Sequence, residues 1–137
     1  MDSTYAGRQE MEQKLVSKPW GRERILEVNE KYALKILEVD AGHRLSLQYH
    51  ERKMETMYCL YGYGKLFICA DGMDREVAMV PGRYITILPN HVHRLEAGYQ
   101  SPVIILEVSS PELDDIVRLE DDYQRDGPTR FMDPYGH

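Results

Sequence analysis

Four residues able to hold a metal ion fall in two short stretches of this chain: Gln48, His50 and Glu55 in the first, His93 in the second. Two imidazoles, one carboxylate and one amide oxygen suit a borderline divalent ion such as zinc, manganese, nickel, cobalt or iron(II), with positions left for water or a substrate. An isolated glutamine or histidine on a strand is ordinary surface polarity. A Gln-x-His-x4-Glu run followed by a His-x-His, His91 to His93, is a pattern that chance polarity rarely produces.

Such donors must be aimed by rigid elements. Gln48 and His50 are two residues apart, so on a β-strand both side chains leave the same face. Ser46 shares that face, whereas Leu45, Leu47 and Tyr49 need burial on the other. From Trp20 onward the chain is a series of short segments rich in β-branched and aromatic residues: 24–28, 32–39, 45–50, 55–61, 65–70, 76–80, 84–88, 93–97 and 103–109. Turn residues separate them, among them Asp40-Ala41-Gly42, Pro81-Gly82 and Pro89-Asn90, with Asp71-Gly72 the sharpest hairpin signal. Many short strands without intervening helices predict an all-β antiparallel sandwich or barrel. Val103 to Val108 is apolar on both faces, which predicts a covered outer face and hence a homodimer.

The remaining segments frame that barrel. Residues 1–17 are expected to be a polar arm or short helix, 18–126 the barrel domain, and 127–137 a tail rich in glycine and proline. After Pro111, acidic residues ahead of Ile116-Val117 predict a short C-terminal helix.

Composition excludes several functions. A chain of 137 residues with 42% hydrophobic and 29% charged residues is a single globular domain in size and balance. Its net charge of −6 disfavours nucleic acid and anionic membranes as partners. No apolar stretch approaches the roughly 18 residues needed to cross a bilayer, and the first fifteen residues lack the apolar segment of a leader, so the expected compartment is the cytoplasm. Cys59 and Cys69 lack zinc-site spacing and are expected to be small reduced strand residues.

Gly42, Gln48, His50, Glu55 and Gly62, with Pro81, Gly82, Pro89 and His93, resemble the two motifs of the cupin superfamily. The resemblance implies a single-domain jelly-roll barrel, a double-stranded β-helix with the metal inside. Within cupins the chain is most similar to the isomerase domain of type II mannose-6-phosphate isomerases, through Lys18-Pro19-Trp20-Gly21-Arg22-Glu23, Leu45-Ser46-Leu47-Gln48, His93-Arg94 and the segment Asp115 to Arg125. The similarity spans about residues 18 to 125. The guanylyltransferase domain that often precedes the isomerase domain is not in this sequence, so that activity is not carried over.

That likeness implies a metal-dependent aldose/ketose isomerase acting on a sugar phosphate, with mannose 6-phosphate to fructose 6-phosphate as the first substrate pair. A bound divalent ion would polarise the sugar carbonyl and stabilise an enediolate while a base moves a proton between C1 and C2. Candidate bases are His91, which shares parity with His93, and Lys53 and Lys35. Candidate phosphate and substrate contacts are Arg118, Arg125, Tyr123, Lys18 and Arg94, since guanidinium groups give forked hydrogen bonds to phosphate. Lys53-Met54-Glu55-Thr56-Met57 stands where the isomerases commonly carry Arg-x-Glu-His-Trp; His91 replaces a usual glycine and Ala97 a frequent asparagine. Two other functions fit the same donors: a non-catalytic metal and sugar-binding module, and an iron(II) oxygenase, against which Gln48 weighs.

Overall fold

The computed structural model describes residues 14–125, and among them there are eleven strands and no helix. In chain order they are β1 (Lys14–Lys18), β2 (Gly21–Val28), β3 (Ala33–Val39), β4 (Leu47–Tyr49), β5 (Glu55–Gly62), β6 (Gly64–Ala70), β7 (Met73–Met79), β8 (Tyr84–Ile87), β9 (Val92–Ala97), β10 (Val103–Ser109) and β11 (Val117–Glu120). They form two antiparallel sheets: six strands in the order β1-β2-β3-β10-β5-β8, and five in the order β11-β4-β9-β6-β7. The all-β jelly-roll expectation is met.

Strand parity explains why the sheets face each other. Along β3 and β10 burial alternates residue by residue, as a strand with one face on a core requires. Leu37, Val39, Val103 and Ile105 point inward from this sheet, and meet Leu66, Ile68 and Leu95 of the other in one apolar cluster. The inward face changes character along the strands. Val39 pairs with Val103 and Leu37 with Ile105, but the next inward pair is Lys35 with Glu107. One end of the sandwich is therefore an apolar core and the other a polar interior, and the site lies in the polar end.

Turn chemistry sets the register. Asp71 and Gly72 join β6 to β7 with positive φ at both residues (56° and 76°), the geometry of a two-residue hairpin turn matched to strand twist. Gly62 ends β5 at φ 85°, and a Cβ there would collide with the Pro102 carbonyl oxygen, so only glycine fits.

Several expectations need correction. The predicted short helix after Pro111 is a turn followed by β11, which pairs Val117 with Tyr49 and Arg118 with Gln48. Acidic residues suited to a helix start are used otherwise: Asp115 caps the 51–53 loop with its carboxylate. Residues 14–17, assigned to an arm or short helix, belong to β1, an edge strand on β2; the rest of that arm and the tail at 127–137 lie outside the described residues. The strand expected from Glu76 starts at Met73. Both cysteines are free thiols. Tyr58, Leu60, Tyr84 and Val108 on the outer face of the six-stranded sheet are exposed. No helix among the described residues is long and apolar enough to cross a membrane.

Candidate metal centre

β4, the loop after it, β5 and β9 bring three donors together in the polar interior. Gln48 of β4 lies opposite His93 of β9 in the ladder, His50 follows β4 with the same parity, and Glu55 opens β5. The Nε2 atoms of His50 and His93 each lie 3.0 Å from Glu55 Oε2. Their donor atoms all fall within 4.8 Å of one another, and all three side chains are buried. Gln48 is buried beside them, its Oε1 accepting the Ser46 hydroxyl at 2.6 Å.

The backbone fixes which ring nitrogens face inward. His50 Nδ1 lies 2.6 Å from the Asp115 carbonyl oxygen and His93 Nδ1 lies 2.9 Å from that of His91. A carbonyl only accepts, so both Nδ1 atoms donate, and a neutral imidazole then presents its Nε2 lone pair. Two nitrogen lone pairs and one carboxylate oxygen converge, and His93 Nε2 is buried without a hydrogen-bond partner. Three such atoms at this separation could hold a cation among them, and a proton on an Nε2 would serve the same contact, that of His50 with Glu55 having hydrogen-bond geometry. The alternative, two buried imidazolium rings 5.1 Å apart, adds like-charge repulsion to desolvation. The donor set fits a divalent ion held by two nitrogens and one oxygen, with the second ring nitrogen of each histidine anchored on the protein.

With no ion bound, the Nε2 atoms meet Glu55 as N–H donors. Burial pushes its carboxyl up, yet the contacts with His50 and His93 and the Lys53 ammonium outweigh burial and hold it well below the usual carboxylate range. A bound cation acts in the same direction. Lys53 is itself desolvated, which lowers its pKa, but Glu107 and Glu55 prevail and raise it. Its Nζ lies 3.6 Å from Glu55 Oε1 and 3.7 Å from Glu107 Oε2.

Gln48, His50, Lys53, Glu55 and Glu107 line a cavity of about 300 Å³ that opens between β1–β3 and the 113–118 segment, while His93 is buried behind that lining. Of the residues named from sequence, Gln48, His50, Glu55, Lys53, Lys35, Lys18, Arg118 and Arg125 line it. Lys35 Nζ meets Glu23 Oε2 at 3.4 Å. Arg125 spends its guanidinium on Asp121, with Nε to Oδ2 at 2.8 Å and Nη2 to Oδ1 at 3.2 Å. Arg118 Nε is buried without a partner. Burial lowers the Lys18 ammonium, and although Glu23 opposes this, Arg125, Lys35 and Arg118 add to it. The mouth is thus crowded with cations.

Other sequence candidates lie elsewhere. The His91 ring lines a separate cavity with Ile68, Met73 and Leu88, and only its carbonyl reaches the centre. Arg94 donates to the Leu45 and Glu120 carbonyls, a tie between β9 and the segments beside it. Tyr123 stacks on His43 with Arg125 over its ring. One cavity residue escaped sequence reading: Glu107, buried in the middle of β10, whose carboxyl is pushed up to about 8 by burial and then by the Glu55 charge. The signal was there, since Glu107 shares parity with Val103 and Ile105, and a charged residue on the buried face of a strand marks a site.

Comparison with known proteins agrees with this architecture. Residues 6–121 match the family described as mannose-6-phosphate isomerase C-terminal. The chain is 31% identical over 125 residues to the xanthan biosynthesis protein XanB of Xanthomonas campestris, covering 88% of this chain and 26% of that protein. It is 31% identical over 114 residues to the mannose-1-phosphate guanylyltransferase ManC of Salmonella typhimurium, covering 80% and 23%. The chain spans about a quarter of the length of these relatives. Its fold superposes on the oxalate decarboxylase of Lactobacillus farciminis with a TM-score of 0.68 at 20% identity, over 80% of this chain and 34% of that one. That likeness is one of fold, and the fold is a cupin.

Proposed function

Since the chain belongs to the mannose-6-phosphate isomerase C-terminal family, we propose that it is a metal-dependent aldose/ketose isomerase domain acting on a sugar phosphate, with mannose 6-phosphate and fructose 6-phosphate as the first pair. The observation that carries the reading is a cavity lined by His50 and Glu55 of the buried three-donor centre and, at its mouth, by Lys18, Arg118 and Arg125. A neutral sugar needs no such mouth, and a metal centre without the cations would not select a phosphate.

His50, Glu55 and His93 hold the ion in this reading, with Gln48 as a fourth donor. When bound, a divalent ion supplies a Lewis acid that polarises a sugar carbonyl. The chain's own residues do the rest. Arg118, whose Nε lacks a protein partner, and Lys18 receive the phosphate. Arg125, tied to Asp121, adds positive potential rather than a free fork. The buried Trp20 ring and Leu37 give the cavity apolar surface, and Leu113 and Ile116 line its side.

The test is a coupled assay of metal-loaded protein against a panel of hexose and pentose phosphates. Interconversion of at least one aldose/ketose pair is expected, with the unphosphorylated sugar turned over far more slowly. Tight binding of a sugar phosphate with no turnover of any pair would replace the isomerase with a binding module.

A further inference from the structure

The isomerase reading leaves the proton carrier unassigned. Besides the metal donors, the side chains lining the cavity that could exchange a proton are Lys18, Glu23, Lys35, Lys53, Glu107 and Asp114, of which Lys18 stands among the cations of the mouth that the proposed function gives to the phosphate. Lys35 is engaged with the Glu23 carboxylate, and Lys53 is held by Glu55 and Glu107 as an ammonium group, which has no lone pair to accept a proton. Glu23 is the partner of Lys35, and Asp114 stands exposed on the 113–115 turn. Glu107 differs from all of them. It is buried at mid-strand in β10, in register with Lys35 of β3 on one side and Met57 of β5 on the other, so its position is rigid.

Register places it relative to the donors. Ser109 pairs with Glu55, and Glu107 pairs with Met57, so Glu107 and Glu55 are diagonal neighbours on one inward face. Diagonal neighbours lie roughly 7–8 Å apart along the backbone. The two carboxylates share one clamp, Lys53, which contacts Glu55 Oε1 and Glu107 Oε2.

We infer that Glu107 is the catalytic residue that carries the proton between adjacent sugar carbons, with Lys53 as the positioning residue that holds it beside Glu55. This rests on the isomerase reading. In the aldose-to-ketose direction Glu107, in its ionised form, takes the proton from C2. The C2–H electron pair becomes the C1=C2 bond, and the C1 carbonyl π pair moves to O1. O1 takes up the proton that O2 gives up, C2=O forms, and Glu107 returns its proton to C1. One hydrogen has moved from C2 to C1 and one from O2 to O1, with no oxidant or reductant.

The experiment compares wild type, E107Q and E107D in deuterated water, with bound metal, sugar-phosphate affinity, turnover and deuterium uptake at the sugar carbons measured for each. E107Q is expected to keep its metal and bind the sugar phosphate within about threefold of wild type. Its turnover and deuterium uptake should fall together by about 10²–10⁴-fold. E107D, a carboxylate withdrawn by about 1 Å, should retain turnover reduced by about 10²-fold. It serves as the informative variant if E107Q does not fold. Active wild type with E107Q within tenfold of it, or E107D at the wild-type rate, would overturn Glu107 and leave the isomerase standing. Wild type that neither isomerises nor exchanges overturns the isomerase reading, and this inference with it.

Discussion

Asp115 holds His50 from behind. Its carbonyl oxygen lies 2.6 Å from His50 Nδ1, while its carboxylate accepts the backbone N–H groups of Glu51, Arg52 and Lys53 at 2.9, 2.6 and 2.8 Å. One residue therefore sets both the ring orientation of a metal donor and the path of the loop from that donor to Glu55. The carboxylate is anionic in this role: burial pushes it up, but the three N–H groups and His50 bring its pKa below the ordinary value.

Removing that support should weaken the centre without removing a donor. Asp115→Ala keeps the carbonyl that meets His50 Nδ1 but removes the carboxylate that holds the 51–53 loop, and is expected to lower metal affinity by about 10-fold by loosening the path from His50 to Glu55. Chelator competition monitored by metal content measures this. Unchanged affinity would separate the 51–53 loop from the centre.

The donors themselves predict a graded series. His50→Ala, Glu55→Ala and His93→Ala should each lose bound metal on purification, Gln48→Ala should weaken binding, and His91→Ala should retain it, because only the His91 carbonyl touches the centre. Elemental analysis reads out all five. Equal metal content in wild type and His50→Ala would rule out the donor set.

The two arginines at the mouth should behave differently. Arg118→Ala removes a group with a buried unpartnered Nε and should raise KM for the sugar phosphate by about 10–150-fold, corresponding to the 1.5–3 kcal/mol of a charged hydrogen bond. Arg125→Ala breaks a forked pair with the buried Asp121 and should chiefly lower stability. Steady-state kinetics alongside thermal melts distinguish them; the reverse pattern would move the phosphate contact to Arg125.

That pair also predicts a pH dependence of stability. Burial raises the Asp121 carboxyl, but the Arg125 bonds outweigh it, and the folded pKa lies below the ordinary aspartate value of 3.8. A depressed carboxylate contributes stability above its unfolded pKa and loses it as pH falls through the folded value. Asp121→Asn should therefore be less stable than wild type at pH 7, by about 1–3 kcal/mol, with the gap closing below about pH 4. A gap that persists at pH 2 would mean that packing, not charge, is responsible.

What sequence reveals of this molecule follows from the range of each interaction. Gln48 and His50 were legible because strand parity is local, and the Asp71-Gly72 turn because its backbone geometry is. β1 was not, since Lys14-Leu15-Val16-Ser17-Lys18 is an edge strand with little apolar pattern and takes its shape from β2. The helix expected after Pro111 failed for a related reason. Asp115 serves a loop more than sixty residues away rather than its own helix start, and that partnership leaves no local trace. Glu107 was overlooked because Val103 to Val108 reads as uniformly apolar unless inward parity is followed through to the one charged position.

The most direct test of the central claim is the rate of mannose 6-phosphate to fructose 6-phosphate conversion as a divalent metal is titrated into chelator-stripped protein. Turnover should rise with bound metal and saturate at one ion per chain. Full occupancy of the site with no conversion of this pair, or of any other sugar phosphate, would contradict it.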